Sequence, residues 1–347
     1  MLDAMGAGFG HCQYAEWMMK MVSEKWLRQS RSTWTVLVQI AYGALLLVPV
    51  LGQDVEPIFD WSTGQELTTG VQYTTLEREY PNADGLTCPS YLFFNATQPR
   101  KLILHAVRID TQTPQLKFVA TGRAAEWGQP MPDFRDQVLR EFTIRTQRQT
   151  TRAFFAEQRQ RGLPLILAIN AAPWSPFQSG VTHPFADKMG LAISQGELVC
   201  PTDGRPSFVI DKDGKCDLMV VSPDANLGAI DVAVSGFSFC LTNGEPSEID
   251  TTLHPRTGIG LCPDKRYLIF LICDGRQVAS QGATVHEVGR WLKFYGAHNG
   301  LNMDGGGSTT LVQWDEPKAQ AKILNRPAHG ERANGNNLGV YFAPKSP

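Results

Sequence analysis

Short runs in which apolar and polar residues alternate occupy much of the chain, and they predict a fold rich in β-strands. Two of them, LILHAVRID and LKFVATG, flank a Thr-Pro pair that predicts a turn. Pro164 introduces the apolar run LILAIN, and three shorter runs follow it: GLAIS, GELVC and PSFVID. The last run leads into Asp211-Lys212-Asp213-Gly214, a sequence typical of hairpin turns.

The pattern is clearest in the last third of the chain. The continuous apolar run YLIFLIC (267–273) predicts a strand that is buried on both faces. Thr284-Val285-His286-Glu287 matches a capping box and predicts a helix that ends at Gly296. Residues 135–161, which mix Arg, Gln and Glu with apolar residues, predict one or two surface helices. These elements indicate an α+β fold, in which a mixed, largely antiparallel sheet is packed by a few helices.

The N-terminal part has the layout of a secretory signal. Four basic residues precede an apolar run over 34–51, and polar residues follow that run at once. The run is about long enough to span a bilayer, so an uncleaved anchor and a buried core helix remain alternatives. We therefore expect a signal peptide or anchor over 1–52, a lead-in segment over 53–100, the main domain over 101–347, and a periplasmic, cell-surface or extracellular location.

Composition narrows the classes of function. The 347-residue chain has a formal net charge of −2, which gives no general attraction to nucleic acid or to acidic membranes. Recognition of a phosphate would therefore be local, and contact with a membrane would be confined to the N-terminal segment. Six cysteines follow the apolar run, so an exported protein could form disulfides, with buried free thiols as the alternative.

The segment Asn302-Met303-Asp304-Gly305-Gly306-Gly307-Ser308 carries the strongest candidate chemistry. An aspartate at a strand end is followed here by three glycines and a serine. Such a turn can place a carboxylate beside exposed backbone N–H groups that bind an anion, because glycine lets the backbone approach a ligand closely. The alternative is a tight turn with a solvated aspartate.

Other candidate residues lie in four further places along the chain. Arginine matches two phosphate oxygens at once, so Arg256, Arg276 and Arg332 are candidate phosphate ligands, with structural salt bridges as the alternative. Asp274 follows the buried strand and Glu287 lies in the capping box, and both are candidate catalytic acids. Asn170 is a candidate ligand of a sugar hydroxyl, and His254 is a candidate ligand of sugar or phosphate.

Five blocks in this order resemble the phosphodiester glycosidase family, over about residues 101–343. They are AINA (168–171), HPRTGIG (254–260), SQGAT (280–284) with Glu287, NMDGGGSTT (302–310), and Glu331-Arg332 with Asn336-Asn337. One departure is Ala171, since a glycine commonly follows the asparagine of the first block. The resemblance adds Thr257 to the substrate-binding set, next to Gly305, Gly306, Gly307 and Ser308.

The resemblance implies hydrolysis of the bond between an anomeric carbon and a phosphodiester, in a sugar-phosphate or polysaccharide substrate. Phosphate is a good leaving group, so the carboxylate of Asp304 and a pair of arginines would suffice. No cofactor is required on this view, although Asp274 and Asp304 could share a divalent cation. Two alternatives remain open: a non-catalytic module that binds cell-surface polysaccharide, and a metal-dependent phosphodiesterase that attacks phosphorus.

Overall fold

The computed structural model describes residues 58–135, 141–176 and 183–344, which belong to one compact unit, Pro57–Pro347. The predicted signal or anchor over 1–52 lies outside these residues. Among the described helices, none is long and apolar enough to cross a membrane. The cysteines from Cys88 to Cys273 are all free thiols.

An eight-stranded antiparallel sheet forms the largest layer. Its strands, from one edge to the other, are β1 (Gln65–Thr68), β2 (Val71–Tyr80), β3 (Arg100–Asp110), β19 (Tyr267–Cys273), β18 (Arg256–Leu261), β20 (Asn299–Asn302), β16 (Ser238–Thr242) and β17 (Glu245–Pro246). Residues 65–80 of the predicted lead-in segment thus belong to this sheet.

Two five-stranded antiparallel sheets and two smaller ones complete the β-structure. One five-stranded sheet contains β12 (Glu197–Cys200), β11 (Ala192–Ser194), β15 (Ile230–Ser235), β13 (Pro206–Asp211) and β14 (Cys216–Val220). The other contains β22 (Gln320–Ile323), β21 (Leu311–Asp315), β8 (Leu165–Asn170), β23 (Asn337–Phe342) and β4 (Leu116–Ala120). The smaller sheets are β7 (Thr146–Gln147), β10 (Phe185–Lys188) and β9 (Trp174–Ser175), and β5 (Pro130–Arg135) with β6 (Glu141–Thr143).

Two α-helices occur in the described part of the chain, α1 (Thr151–Gln160) and α2 (Val285–Phe294). The predicted capping box of α2 is confirmed, because Thr284 and Glu287 each accept a hydrogen bond from the other's backbone N–H. Gly258 and Gly260 of β18 let α2 approach the large sheet. A methyl group at either position would lie within 3 Å of a side chain of α2 or its C-terminal turn.

The hydrophobic core lies between layers. One face of the large sheet packs against both five-stranded sheets, and its other face packs against α2. In β19, Leu268, Phe270 and Ile272 face the first core, whereas alternate residues face the second. The prediction that 267–273 is buried on both faces is therefore confirmed. Helix α1 covers the outer face of the sheet that contains β8.

Two predictions about architecture need correction. The prediction of largely antiparallel strands with a few helices is confirmed, but the protein is mainly β, and the named strands form several sheets in which every ladder is antiparallel. Within the described residues of the predicted helical segment 135–161, the helix spans Thr151–Gln160, and the earlier part contains β6 and β7. The helix begins late because Thr150 caps it by accepting a hydrogen bond from the N–H of Ala153, while Thr143 and Thr146 favour extended backbone.

Strand register brings distant segments to one edge of the large sheet. Arg256 at the start of β18 lies opposite Cys273 at the end of β19, and Gly258 lies opposite Asn302 at the end of β20. The residues that follow β19 and β20, together with those that precede β18, therefore lie close together. The end of β8 joins them, since the Asn170 side chain donates to the Asp304 carbonyl.

Candidate active site

A pocket of about 330 Å³ lies at this edge, near the lower end of the range for ligand sites. Seven of the residues predicted from the sequence line it: His254, Arg256, Arg276, Asp304, Gly305, Gly306 and Arg332. The other lining residues are Trp174, Met189, Phe237 and Met303. Charged groups and apolar side chains thus share one cavity.

Asp304 is the only carboxylate among the described residues that line the pocket. Its Oδ1 atom accepts a hydrogen bond of 3.0 Å from the N–H of Gly305. Its Oδ2 atom is buried and makes no hydrogen bond of normal length and angle in the described structure. Burial raises the pKa of this carboxyl, and the charge of Arg332 opposes that rise, together with weaker polar contacts from Ser308 and Trp174. An uncommitted carboxylate oxygen is costly in a structural role, and it suits a role in binding or catalysis.

Two of the three glycines, Gly306 and Gly307, make room for arginine side chains. A methyl group on Gly306 would lie 3.1 Å from Nη2 of Arg276, and one on Gly307 would lie 3.3 Å from the Arg332 guanidinium. Gly306 also has a left-handed backbone, with φ 61°. A side chain at these positions would therefore push the two guanidinium groups out of place.

Most backbone N–H groups of this turn form hydrogen bonds within the protein. The N–H groups of Gly305, Gly306, Ser308 and Thr309 all donate within the protein. The prediction of a nest of exposed N–H groups is therefore wrong for these four residues, because the turn folds into a single 3-10 turn over Gly306–Ser308. Positive charge in the pocket comes from the arginines that pack against the turn.

Arg276 and His254 form a pair on the pocket wall. Nη2 of Arg276 donates to Nδ1 of His254 at 3.0 Å. Burial, together with the charges of Arg256 and Arg276, lowers the pKa of His254 to about 4. His254 is therefore neutral at physiological pH, and its proton lies on Nε2, which makes that atom a hydrogen-bond donor.

Arg256 and Arg332 complete the positive cluster. Arg256 donates to the carbonyls of Ala283 and Thr252, each at 3.0 Å, which holds its guanidinium in the wall. Arg332 donates to Oγ of Ser308 at 2.7 Å. Burial lowers the pKa of all three arginines, and the charge of Arg332 lowers that of Arg276 further. Like charges that are held together in a buried wall favour an anionic ligand.

Four predicted residues lie behind the pocket. Asn170 is fully buried, and its Oδ1 atom accepts hydrogen bonds from Oγ1 of Thr257 at 2.7 Å and from the N–H of Thr310 at 3.1 Å. Ser308 is also fully buried. Gly307 packs against Arg332 and does not line the cavity. Asn170 and Thr257 therefore position Asp304 by its backbone, and they do not contact the pocket as predicted.

The structure places the other two predicted acids elsewhere. Both oxygens of Asp274 accept from the N–H of Arg326, and Oδ1 also accepts from Nδ2 of Asn325. Glu287 pairs with the buried guanidinium of Arg100 and completes the capping box. Neither lines the pocket with Asp304, and no group of three potential metal ligands occurs among the described residues. A cation shared by Asp274 and Asp304 finds no support in this arrangement.

Sequence reasoning missed the apolar wall of the pocket. Trp174 lies only four positions after Asn170, and Phe237 remains 41% exposed after β15. Aromatic residues just beyond strand ends are a signal that can be read from the sequence, because such rings bind sugars by their faces. Met189 and Met303 carry no such signal.

Comparison with solved structures finds proteins of similar fold. The chain aligns over 80% of its length, at 17% identity and a TM-score of 0.55, with 85% of the catalytic domain of zebrafish N-acetylglucosamine-1-phosphodiester alpha-N-acetylglucosaminidase, a structure described as auto-inhibited by pro-peptide. A hypothetical protein from Synechocystis aligns at 12% identity and a TM-score of 0.49, covering 80% of this chain and 63% of its own. A search of curated protein sequences found no match.

The family model of the phosphodiester glycosidases matches residues 165–341. This range covers just over half of the 347-residue chain and includes all eleven residues that line the pocket. The protein therefore belongs to the phosphodiester glycosidase family.

Proposed function

We propose that this protein hydrolyses sugar 1-phosphodiesters by breaking the bond between the anomeric carbon and the phosphate oxygen. The observation that carries the proposal is the convergence of Asp304 and three guanidinium groups on one small pocket with an apolar wall. The family consists of glycosidase-type hydrolases, and the name of the zebrafish relative describes a sugar 1-phosphodiester as its substrate.

The arginines would act on the leaving group. As the C–O bond breaks, its electron pair moves to the phosphate oxygen, and Arg276 and Arg256 stabilise the added negative charge. The leaving phosphate is a weak base, so it needs little help from a general acid. This accounts for a glycosidase pocket in which the described residues supply one carboxylate, although most such enzymes use two.

Asp304 would act on the sugar. Positive charge develops at the anomeric carbon, and the oxygen of water finally bonds to that carbon. The water gives up a proton, and the products are a free sugar and a phosphate monoester. A nucleophilic carboxylate and a carboxylate that takes the proton from water both need a free lone pair. Oδ2 of Asp304 supplies one in either case.

The neutral state of His254 fits this scheme. An imidazolium beside Arg256 and Arg276 would add a further buried charge, whereas the neutral ring accepts from Arg276 and leaves Nε2–H as a donor. The apolar wall of Trp174 and Phe237 would contact the face of the sugar ring.

Isotope-labelled water tests the proposal directly. Turnover of an N-acetylglucosamine 1-phosphate ester in oxygen-18 water should place the label in the sugar. Label in the phosphate would mean attack at phosphorus, which is the phosphodiesterase alternative. Failure to turn over any sugar 1-phosphodiester would instead favour the binding-module alternative.

We also propose that the protein is exported, on the basis of the basic residues and the apolar run that precede residue 52. Cell fractionation should find it outside the cytoplasm. Recovery of the full-length chain as a soluble cytoplasmic protein would contradict this.

A further inference from the structure

A second cavity, of about 400 Å³, is lined in part by the same loop that supplies Arg276 to the candidate active site. It is formed by the loop between β2 and β3 and by the loop after β19, and we call it the Phe93–Val278 groove. Its lining includes Tyr91, Phe93, Phe94, Pro99 and Val278. Phe93 is 83% exposed and Val278 is 77% exposed, so large apolar groups here face solvent.

The groove and the candidate active site share a structural support. Tyr80 at the end of β2 pairs with Arg100, and Leu104 of β3 pairs with Cys273, so both loops leave the same edge of the sheet. Gln281 joins them: its side chain accepts from the N–H of Lys101 at 2.5 Å, and its carbonyl accepts from the N–H of Arg276 at 3.2 Å.

Arg276 therefore stands between the two cavities. Its side chain lines the pocket, while Val278, two residues further along, lines the groove. A phosphodiester held by Arg276 has two arms, which are the sugar on one side of the phosphate and the esterified alcohol, or aglycone, on the other. If the sugar arm enters the pocket of Asp304, the groove that Val278 lines is available to the opposite arm.

The chemistry of the groove favours an uncharged, apolar arm. Its lining contains three charged residues, and all of them are paired: Lys101 with Glu79 at 3.7 Å, and Arg100 with Glu287. The rest of the lining combines three aromatic rings, Pro99 and Val278 with uncharged polar side chains, which are those of Asn95, Gln98 and Gln281. Aliphatic groups bind hydrocarbon well, whereas they offer a sugar neither a flat ring face nor a hydrogen bond.

The loop that carries the aromatic residues is held by successive turns. The N–H groups of Tyr91, Phe94 and Gln98 donate to carbonyls three residues earlier, at 3.0, 3.1 and 3.2 Å. The apolar side chains are thus presented by defined backbone geometry, which lowers the entropy lost when a ligand binds.

We propose that the Phe93–Val278 groove binds an apolar aglycone, so that the substrates are sugar 1-phosphodiesters of a lipid or another hydrocarbon alcohol. This inference rests on the proposed function for the identity of the bound phosphodiester. It goes beyond that function because it assigns the chemical class of the group on the far side of the phosphate.

Three esters of N-acetylglucosamine 1-phosphate test the inference. They carry a methyl group, an octyl group, or di(ethylene glycol) monoethyl ether, which is hydrophilic and matches octyl in length. We expect kcat/KM for the octyl ester to exceed that for the methyl ester by at least about 15-fold, since two buried methylenes at about 0.8 kcal/mol each give that factor. The ether ester should resemble the methyl ester. Protein without N-glycans should be used, because Asn95 of the sequon Asn-Ala-Thr lines the groove.

Matched substitutions locate the effect. Phe93→Ser and Val278→Ser should each lower the ratio of octyl to methyl kcat/KM toward one. Val220→Ser, at a 52% exposed valine on β14, is the control and should retain the ratio of the unaltered protein. An octyl ester no better than the methyl ester, an equal preference for the ether ester, or a preference that survives both groove substitutions would overturn the inference.

Binding measurements separate this inference from the proposed function. Isothermal titration calorimetry with the same esters and variants reports the preference of the groove even without turnover. Absence of hydrolysis with tighter binding of the octyl ester would refute the proposed function alone. Hydrolysis of all three esters with equal binding affinity would refute only the inference that the groove binds an apolar aglycone.

Discussion

Asp274 and Asp304 lie at comparable places in the sequence, yet the structure gives them different surroundings. Each follows a strand of the large sheet and precedes a glycine. Both oxygens of the Asp274 carboxylate accept from the N–H of Arg326, and one also accepts from the amide of Asn325, whereas Oδ2 of Asp304 makes no hydrogen bond of normal geometry with the described residues. A satisfied buried carboxylate holds structure, and an unsatisfied one beside a cavity is available for chemistry.

The other polar residues at this edge of the large sheet also fall into two groups, those that support the structure and those that line the pocket. Asn170, Thr257 and Glu287 bond to protein groups and form a supporting layer behind the pocket. The arginines of the wall line the cavity, and each is also held by a hydrogen bond to a protein group. This division predicts separate effects on stability and on turnover when residues of the two layers are changed.

The largest effect on turnover should come from Asp304→Asn. The substitution keeps the size of the side chain and removes its charge, so the rate on a sugar 1-phosphodiester should fall by about 100- to 10,000-fold. Circular dichroism should remain that of the unaltered protein. Near-normal turnover by a folded Asp304→Asn protein would remove Asp304 from the mechanism. It would also contradict the contrast between a reactive Asp304 and a structural Asp274.

Asp274→Ala should act mainly on folding. The change leaves the amide of Asn325 and the N–H of Arg326 without their acceptor, at a cost of about 3 kcal/mol in the free energy of unfolding. Urea denaturation measures this cost, and turnover per folded molecule should fall far less than in Asp304→Asn. A stable Asp274→Ala protein that has lost turnover would reverse the assignment of the two aspartates.

Arg276→Lys tests the positive wall. Lysine keeps the charge but loses the planar fork, so kcat/KM should fall by about 10- to 150-fold, the equivalent of one charged hydrogen bond. Arg266→Lys is a matched control, because Arg266 pairs with Asp110 at the surface. Equal behaviour of the two variants would show that the pocket needs only positive charge at position 276.

The smallest effects concern the pH dependence of stability. The pKa of His254 is lowered from 6.5 to about 4, so its stabilising contribution is present above 6.5 and is lost as the pH falls through 4. The pKa of Asp304 is raised above 3.8, so the folded protein favours the protonated carboxyl. The contribution of this carboxyl to stability is therefore present below 3.8 and is lost as the pH rises through the raised pKa. Thermal unfolding should therefore show that His254→Gln gains stability relative to the unaltered protein on acidification. Asp304→Asn should gain relative stability as the pH rises above 3.8. Parallel pH curves for the three proteins would contradict both pKa shifts.

The sequence by itself determined those features that depend on local pattern. The capping box of α2, the doubly buried strand 267–273, the hairpin at 211–214 and the family resemblance all follow from neighbouring residues, and the structure bears them out. It also pointed to seven residues that line the pocket, because strand ends and glycine turns mark the edge of a sheet where sites form.

Only the tertiary structure decided which polar residues face the cavity. The pattern Asp-Gly reads the same at 274 and 304, and the partners that distinguish the two carboxylates come from residues 325–332 and from the strand pairings of β8. The same long-range packing places Trp174 and Phe237 in the pocket wall. It also packs two arginine side chains against the glycine turn, which was predicted to bind an anion through its backbone N–H groups. Hydrogen-bond partners that are far apart in sequence leave no local pattern, so the division between supporting and reacting residues appears only in the folded protein.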